Sequence, residues 1–162
     1  MKNLLISISE KAIKYEDLNF TPEQIETNWL GNISASENQI IEAENKLGIK
    51  LPKDYIEFIS ISNGFSAPNQ IEPTFEAIEK IDFLKNIDPF TIEAYGLPEL
   101  ENAILVAGIE EEQYFLLLPP ESKNEEWKYW KFANWYPGEH PFENLKAYFE
   151  DVLRFITKEY EI

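Results

Sequence analysis

The hydrophobic pattern of the chain changes its period near residue 103, and this change limits the possible fold classes. Before that point, apolar residues recur three or four positions apart, which is the spacing of one helix face. Two continuous apolar runs follow, at 104–109 and 113–118, and three glutamates separate them. Such runs around a charged tip are typical of an antiparallel hairpin. We therefore expect an α+β fold, with helices packed against a mainly antiparallel sheet of about four to six strands.

Capping signals predict three helices in the first part of the chain. Thr21 to Gln24 and Ser36 to Gln39 have the spacing of capping boxes, and Pro52 suits the first turn of a helix. Glycines or Asn-Gly follow each apolar stripe and are expected to end the helices. The predicted spans are Thr21 to Gly31, Ser36 to Gly48 and Pro52 to Gly64.

The sequence signals for the elements after residue 64 differ in strength. Residues 65–73 have the composition of a loop, a short strand is expected within 75–83, and Pro89 and Pro98 bracket a stretch expected to be irregular. A third strand, after the two strands of the hairpin, is expected at 127–132. A closing helix is expected to begin at Pro141. Its apolar stripe consists of Phe142, Leu145, Phe149, Val152, Leu153 and Ile156.

Composition excludes several classes of function. The 162 residues include 14 Lys+Arg and 30 Asp+Glu, so the formal net charge is −16. This charge repels phosphate backbones and anionic membranes, so neither nucleic acid nor a membrane is expected as a partner. A hydrophobic content of 44% indicates a folded chain rather than a disordered one. With no internal repeat, linker, signal peptide or apolar membrane span, we expect one cytoplasmic domain over residues 1–162.

No pattern in the sequence points to catalysis. There is no cysteine, and His140 is the only histidine, so neither a transition-metal cluster nor a Cys nucleophile is available. No serine lies in a Gly-x-Ser-x-Gly elbow, and no glycine-rich phosphate loop is present. Carboxylate pairs are too common among the 30 acids to be specific. We therefore predict no enzyme, no catalytic residue, no metal and no cofactor.

The segment 40–65, IIEAENKLGIKLPKDYIEFISISNGF, resembles the Smi1/Knr4 family, also called the SUKH superfamily. The matching positions are Glu44, Leu47-Gly48, Leu51-Pro52, Tyr55, Phe58 and Asn63-Gly64. Phe65 departs from the pattern, in which a second glycine often follows Asn-Gly. The resemblance implies a SUKH-type fold. It also implies a function, because bacterial members act largely as immunity proteins that neutralise toxins, often nucleases, whereas fungal Smi1 proteins are implicated in cell-wall signalling.

Two features are candidates for a partner-binding surface. The first is the acidic hairpin tip, and the second is an aromatic stretch between residues 127 and 136 bordered by acids. Each has a simpler explanation: the tip could be only a solvated turn, and helices could cover both faces of the aromatic strand. An aromatic anchor with an acidic rim is the alternative. The candidate partner-binding residues are Glu110, Glu111, Glu112, Glu125, Glu126, Trp130, Trp135, Tyr136 and Glu139.

Together, the resemblance and the charge predict an immunity protein that binds a cognate toxin by stoichiometric occlusion. The acidity favours a basic toxin, such as a nuclease, because complementary charge mainly raises the association rate. The alternative is an intracellular Smi1-type regulatory scaffold that binds a protein or peptide in a groove. Apolar recognition of that kind would depend little on ionic strength.

Overall fold

The computed structural model describes residues 1–16, 18–135 and 137–160. Four helices come first: α1 (Lys2–Tyr15), α2 (Pro22–Thr27), α3 (Glu37–Leu47) and α4 (Lys53–Ile61). Then follow β1 (Asp82–Phe83), α5 (Leu84–Ile87), α6 (Pro89–Tyr95) and a 3-10 helix (Pro98–Asn102). The last part contains β2 (Ile104–Ala107), β3 (Gln113–Leu118), β4 (Lys128–Ala133), β5 (His140–Phe142) and α7 (Leu145–Tyr160).

The strands form an antiparallel sheet in which neighbours along the chain are neighbours in space, in the order β1-β2-β3-β4-β5. This confirms the predicted hairpin and the α+β class. In such a meander, alternate connections lie at the same end of the sheet. The connection 108–112 and the described residues of the connection 134–139 therefore share one end, which we call the tip end. The connection 119–127 lies at the opposite end, because Leu118 pairs with Lys128 and Gln113 pairs with Ala133.

Helices cover both faces of this sheet. On one face, alternate strand residues such as Phe115, Leu117 and Tyr129 join a large core with α1, α3, α4 and α7. On the other face, Leu116 and Trp130 join a smaller core with residues of α5, α6 and the 3-10 helix. The aromatic residues of β4 therefore point in both directions because each face has its own core. The simpler explanation of this strand is the correct one.

The predicted capping boxes are present. Thr21 and Gln24 exchange hydrogen bonds of 3.0 and 3.2 Å, and Ser36 and Gln39 exchange bonds of 2.7 and 3.2 Å. The expected end of the first helix at Gly31 is wrong. Helix α2 already ends at Thr27, because Asn28 adopts the left-handed conformation with φ of 52°, which asparagine tolerates better than most residues.

Helix α1 was not predicted, although its buried residues have helical spacing. They are Leu5, Ile8, Ser9 and Ala12. The serine breaks the apolar run in the sequence, but its hydroxyl donates to the Leu5 carbonyl oxygen at 2.8 Å and is therefore satisfied inside the helix. The helix packs along α7 in the core.

The irregular stretch expected between Pro89 and Pro98 is wrong, because each proline begins a helix instead. Asp88 caps α6 by accepting a 3.2 Å hydrogen bond from the Thr91 amide, and Pro89 occupies the first turn, where its missing amide is not needed. The short strand expected within 75–83 is present as β1.

The closing helix begins four residues later than expected. Phe142 lies in β5, where it pairs with Tyr129, rather than in the helix that was predicted to begin at Pro141. Helix α7 starts at Leu145, whose amide donates to the Asp54 carboxylate at 2.8 Å. The rest of the predicted stripe faces the core: Leu145, Phe149, Val152 and Ile156 are buried and Leu153 is partly buried.

Asp54 joins three elements, which leads to a stability prediction. Its carboxylate accepts hydrogen bonds from the Tyr129 hydroxyl at 2.5 Å, the Leu145 amide at 2.8 Å and the Tyr55 amide at 2.9 Å. We expect Asp54→Ala to lower the free energy of unfolding by about 2–3 kcal/mol, since partly buried donors lose their charged acceptor. Urea unfolding of this variant beside Glu42→Ala, an exposed acid on α3, measures the difference. Equal stabilities would contradict the assignment.

Candidate functional site

The fold brings together two sequence features that were predicted separately. The acidic tip lies in the connection 108–112, and Trp135 and Glu139 lie in the connection 134–139. Both connections are at the tip end of the sheet because Gln113 pairs with Ala133. An acidic segment and an exposed aromatic residue therefore occupy the same end of the molecule.

The other candidate residues lie elsewhere. Trp130 is only 8% exposed and packs in the smaller core, so it is removed from the candidate surface. Glu125 and Glu126 are exposed but lie in the connection at the opposite end of β4. A strand of six residues separates the two ends by roughly 17 Å. Tyr136 lies outside the described residues.

The acidic tip is held in place by contacts to the preceding loop. The Glu111 carboxylate is half-buried and accepts hydrogen bonds from the amide and the hydroxyl of Thr74, at 2.9 and 3.4 Å. The Gly108 amide donates to the Thr74 carbonyl oxygen at 2.9 Å. Gly108 has φ of 90°, and a Cβ there would lie 1.8 Å from the Gln113 carbonyl oxygen. Glu111 is therefore structural, whereas Glu110 and Glu112 are exposed to solvent.

Trp135 stands at the edge of a buried polar cluster. The side chain is 48% exposed, and the Lys131 Nζ lies 6.0 Å from the centre of its ring. Lys131 forms a 2.8 Å ion pair with Glu72, and each side chain is only 8% exposed. The Tyr148 hydroxyl donates to the same carboxylate oxygen at 2.6 Å. The Trp135 ring thus lies at the outer limit of cation–π distance from a lysine that is itself held by an ion pair.

Sequence reasoning missed this polar cluster, although one signal was present. Lys131 alternates with Tyr129 and Ala133, so it occupies a core-facing position of β4. A charged residue on a buried face requires a partner of opposite charge. That partner, Glu72, comes from a loop 59 positions earlier, and no local pattern indicates it.

A cleft of about 310 Å³ lies beside the tip, between α6 and the ends of β3 and β4. Its lining residues are Thr91, Tyr95, Glu111, Glu112, Tyr114, Phe132, Ala133 and Asn134. The Tyr114 hydroxyl donates to Asp88 at 2.8 Å. Burial, together with the hydrogen bond to Asp88 and the charge of Asp88, raises the pKa of Tyr114 to about 12, so this hydroxyl is neutral. The cleft offers aromatic and acidic surface rather than a reactive group.

Acidic side chains are crowded near the tip. Burial raises the pKa of the Glu76 carboxyl; Lys80 opposes this effect, and the charges of Glu111 and Glu110 add to it. A carboxylate whose pKa is raised on folding destabilises the folded state when it is ionised. The tip thus concentrates negative charge that a cationic partner would neutralise.

This crowding leads to a pH-dependent prediction. We expect Glu76→Gln to raise the free energy of unfolding at pH 7, because it removes an ionised carboxylate that folding disfavours. The gain should shrink as the pH falls, since the native Glu76 binds a proton and loses its charge. Urea unfolding of both proteins between pH 7 and pH 4 measures this difference. A gain of equal size throughout would contradict electrostatic crowding.

A second, larger concavity lies on the helical side of the molecule, beside α2. This groove has a volume of about 920 Å³. It is lined by Thr21, Glu23, Gln24, Thr27, Trp29, Gly31, Asn32, Ile33, Asn63, Ser66 and Ala77. Ile33 is 89% exposed, the largest exposed fraction among the large apolar residues described. No candidate residue from the sequence lies here.

Metal-binding clusters are absent from the described ranges. No group of three or more His, Cys, Asp or Glu side chains there could hold a metal ion. His140 is exposed on β5 and its ring stacks on Phe142, with the centroids 4.6 Å apart. Among the same residues, no helix is long and apolar enough to cross a membrane.

The comparison with known families identifies the chain. The model of the SMI1 / KNR4 family (SUKH-1) matches residues 34–158, so this protein belongs to that family. No curated protein matches the chain. The motif at 40–65 lies within the matched range and is largely structural: the Glu44 carboxylate accepts a 2.7 Å hydrogen bond from the Leu51 amide, and Tyr55 and Phe58 are buried. Residues 1–33, with α1, α2 and part of the groove, precede the matched range.

Proposed function

We propose that this protein is an immunity protein that binds and neutralises a protein toxin by occlusion. Membership of the SMI1 / KNR4 (SUKH-1) family supports the general role. The observation that supports a binding surface is that the exposed acids Glu110 and Glu112 and the exposed Trp135 lie in two connections at the same end of the sheet. The proposed mechanism is stoichiometric and requires no turnover, cofactor or metal.

The tip end has the composition of a protein-binding surface. Aromatic side chains supply most of the binding free energy in many interfaces, and charged residues form a rim around them. Here Trp135 would be the aromatic contact and Glu110, Glu112 and Glu139 the rim. Because Trp135 lies against a fixed lysine and Glu111 is bound to Thr74, binding would order few additional groups.

The charge supports a basic partner. A protein of net charge −16 would attract a positively charged toxin over several ångströms and raise the association rate. Nucleases carry positive charge in order to hold nucleic acid, so a nuclease-type toxin is our specific proposal. We also propose that the protein is cytoplasmic, and its sequence without cysteine is consistent with that compartment.

The direct experiment uses the toxin encoded beside this gene. The purified protein, added in slight molar excess, should abolish the activity of that toxin and elute with it as one complex. A neighbouring toxin that remains fully active with the protein in excess would refute the immunity role.

A pair of charge-matched variants tests whether the tip end is the binding surface. We expect Glu110→Gln/Glu112→Gln to slow association with the toxin by about tenfold at low salt, because it removes charge at the contact. Glu125→Gln/Glu126→Gln removes the same charge from the opposite end and should have a much smaller effect. Stopped-flow association rates at increasing salt measure both. Equal rates for the two variants would show that only net charge matters, or that the tip is not the interface.

The second candidate function is a Smi1-type regulatory scaffold or peptide-binding adaptor. The observation that favours it is the groove beside α2, which is larger than the cleft at the tip and carries the exposed Ile33. Binding of an apolar peptide there would change little with ionic strength, whereas association of a basic toxin would slow as salt rises.

A further inference from the structure

The groove beside α2 contains an unpaired backbone edge. Outside the main sheet, four residues are joined by single antiparallel bridges: Gly31 with Phe65, Phe65 with Phe75, and Phe75 with Ala107. Ala107 belongs to β2. Phe75, Phe65 and Gly31 therefore continue the sheet beyond β2, each as a strand of one residue. Gly31 is the last member and lines the groove.

The direction of the Gly31 backbone follows from the hydrogen bonds of its neighbour. Phe65 and Phe75 exchange both of their backbone bonds, at 2.9 and 2.8 Å, so the Phe65 amide and carbonyl face away from Gly31. The bridge between Gly31 and Phe65 is therefore the non-hydrogen-bonded type, in which both amide and carbonyl of each residue point outward. Consistently, the Ser66 amide donates to the Leu30 carbonyl oxygen at 3.0 Å beside it.

The Gly31 amide and carbonyl consequently form no hydrogen bond within the described residues. An unpaired donor and acceptor at a sheet edge is a template for an added strand. There is no space for a side chain at position 31, however, because a Cβ there would lie 2.4 Å from both the Trp29 ring and the Ser62 hydroxyl. The Trp29 ring thus forms a wall of the groove and leaves the edge of the backbone open.

The side chains around this edge indicate which kind of segment it would accept. Ile33 and Trp29 offer apolar contacts on the same short segment. Glu23 is the charged residue of the lining, which contains no lysine or arginine. Glu79 lies nearby, since it accepts a 3.1 Å hydrogen bond from the Asn63 side chain. The groove therefore combines apolar contacts at Ile33 and Trp29 with polar lining residues and negative charge at Glu23.

We propose that the groove beside α2 binds an extended, basic peptide segment of a partner protein by strand addition at Gly31. The main chain of the segment would bond to the Gly31 amide and carbonyl, apolar side chains would contact Ile33 and Trp29, and basic side chains would lie near Glu23. This inference deepens the second candidate function and rests on it, but specifies a basic segment in place of an apolar one because Glu23 lines the groove. It is independent of the immunity role and of the tip end, because it concerns a different surface.

The test is an NMR titration of the isotope-labelled full chain with a capped heptapeptide of alternating lysine and valine. Strand addition should move the Gly31 amide proton downfield and slow its exchange with solvent. The same peptide methylated on its backbone nitrogens, and the peptide with glutamate in place of lysine, should each bind about tenfold more weakly or not at all.

Two matched pairs of variants separate the contacts. Ile33→Ala should weaken binding about fivefold, whereas Ile41→Ala, at an exposed isoleucine on α3, should not change it. Glu23→Lys should weaken binding and Glu42→Lys, also on α3, should not. All four positions are exposed, so the variants should fold.

Several results would overturn the proposal. They are an unchanged Gly31 amide, equal binding of the methylated or glutamate peptide, and concentration-dependent signals that show a second copy of the chain filling the groove. None of these results involves a toxin, so the proposal can fail while toxin neutralisation at the tip end succeeds, and the reverse also holds.

Discussion

The two-sided burial of β3 and β4 is the constraint on which the rest of the molecule depends. Alternate residues of these strands enter two separate cores, so neither face of the sheet is left for a partner. Burial of an apolar aromatic side chain such as Phe115 contributes about 1.5–3 kcal/mol, and exposing either face would lose several such contributions. A partner therefore cannot bind on either face of β3 and β4, which leaves the loop connections at the sheet ends, the backbone edges outside the main sheet and the outer surfaces of the helices.

The tip end is built by polar contacts rather than by the apolar cores. Glu72 pairs with Lys131 and receives the Tyr148 hydroxyl, and its carbonyl oxygen accepts a 3.1 Å hydrogen bond from the Gln113 side chain. These contacts fix the loop before Thr74, and Thr74 in turn holds Glu111. Removing one partner of a buried ion pair typically lowers the free energy of unfolding by about 3–5 kcal/mol. The network that positions the acidic tip is therefore strongly stabilising.

The sequence was informative where structure is determined locally. Capping boxes at Thr21 and Ser36 located two helix starts, since each involves residues only three apart. It was uninformative where distant residues decide: the buried Ser9 hydroxyl also accepts a 3.1 Å hydrogen bond from the Leu30 amide, 21 positions later. Trp130 is buried because α5, α6 and the 3-10 helix cover a face that no local pattern assigns. For the site, the tip acids were found, but their location at the same end of the sheet as Trp135 required the register of β3 with β4.

We propose that a partner binds at the tip end of this molecule, where acidic and aromatic side chains remain exposed and neither sheet face is open. Hydrogen exchange of this protein, free and in complex with the toxin encoded beside its gene, tests that claim most directly. The account predicts that the toxin slows exchange at 108–112 and 134–139, with little change in the opposite connection 119–127. Slower exchange confined to 119–127, or to the groove beside α2, would contradict it.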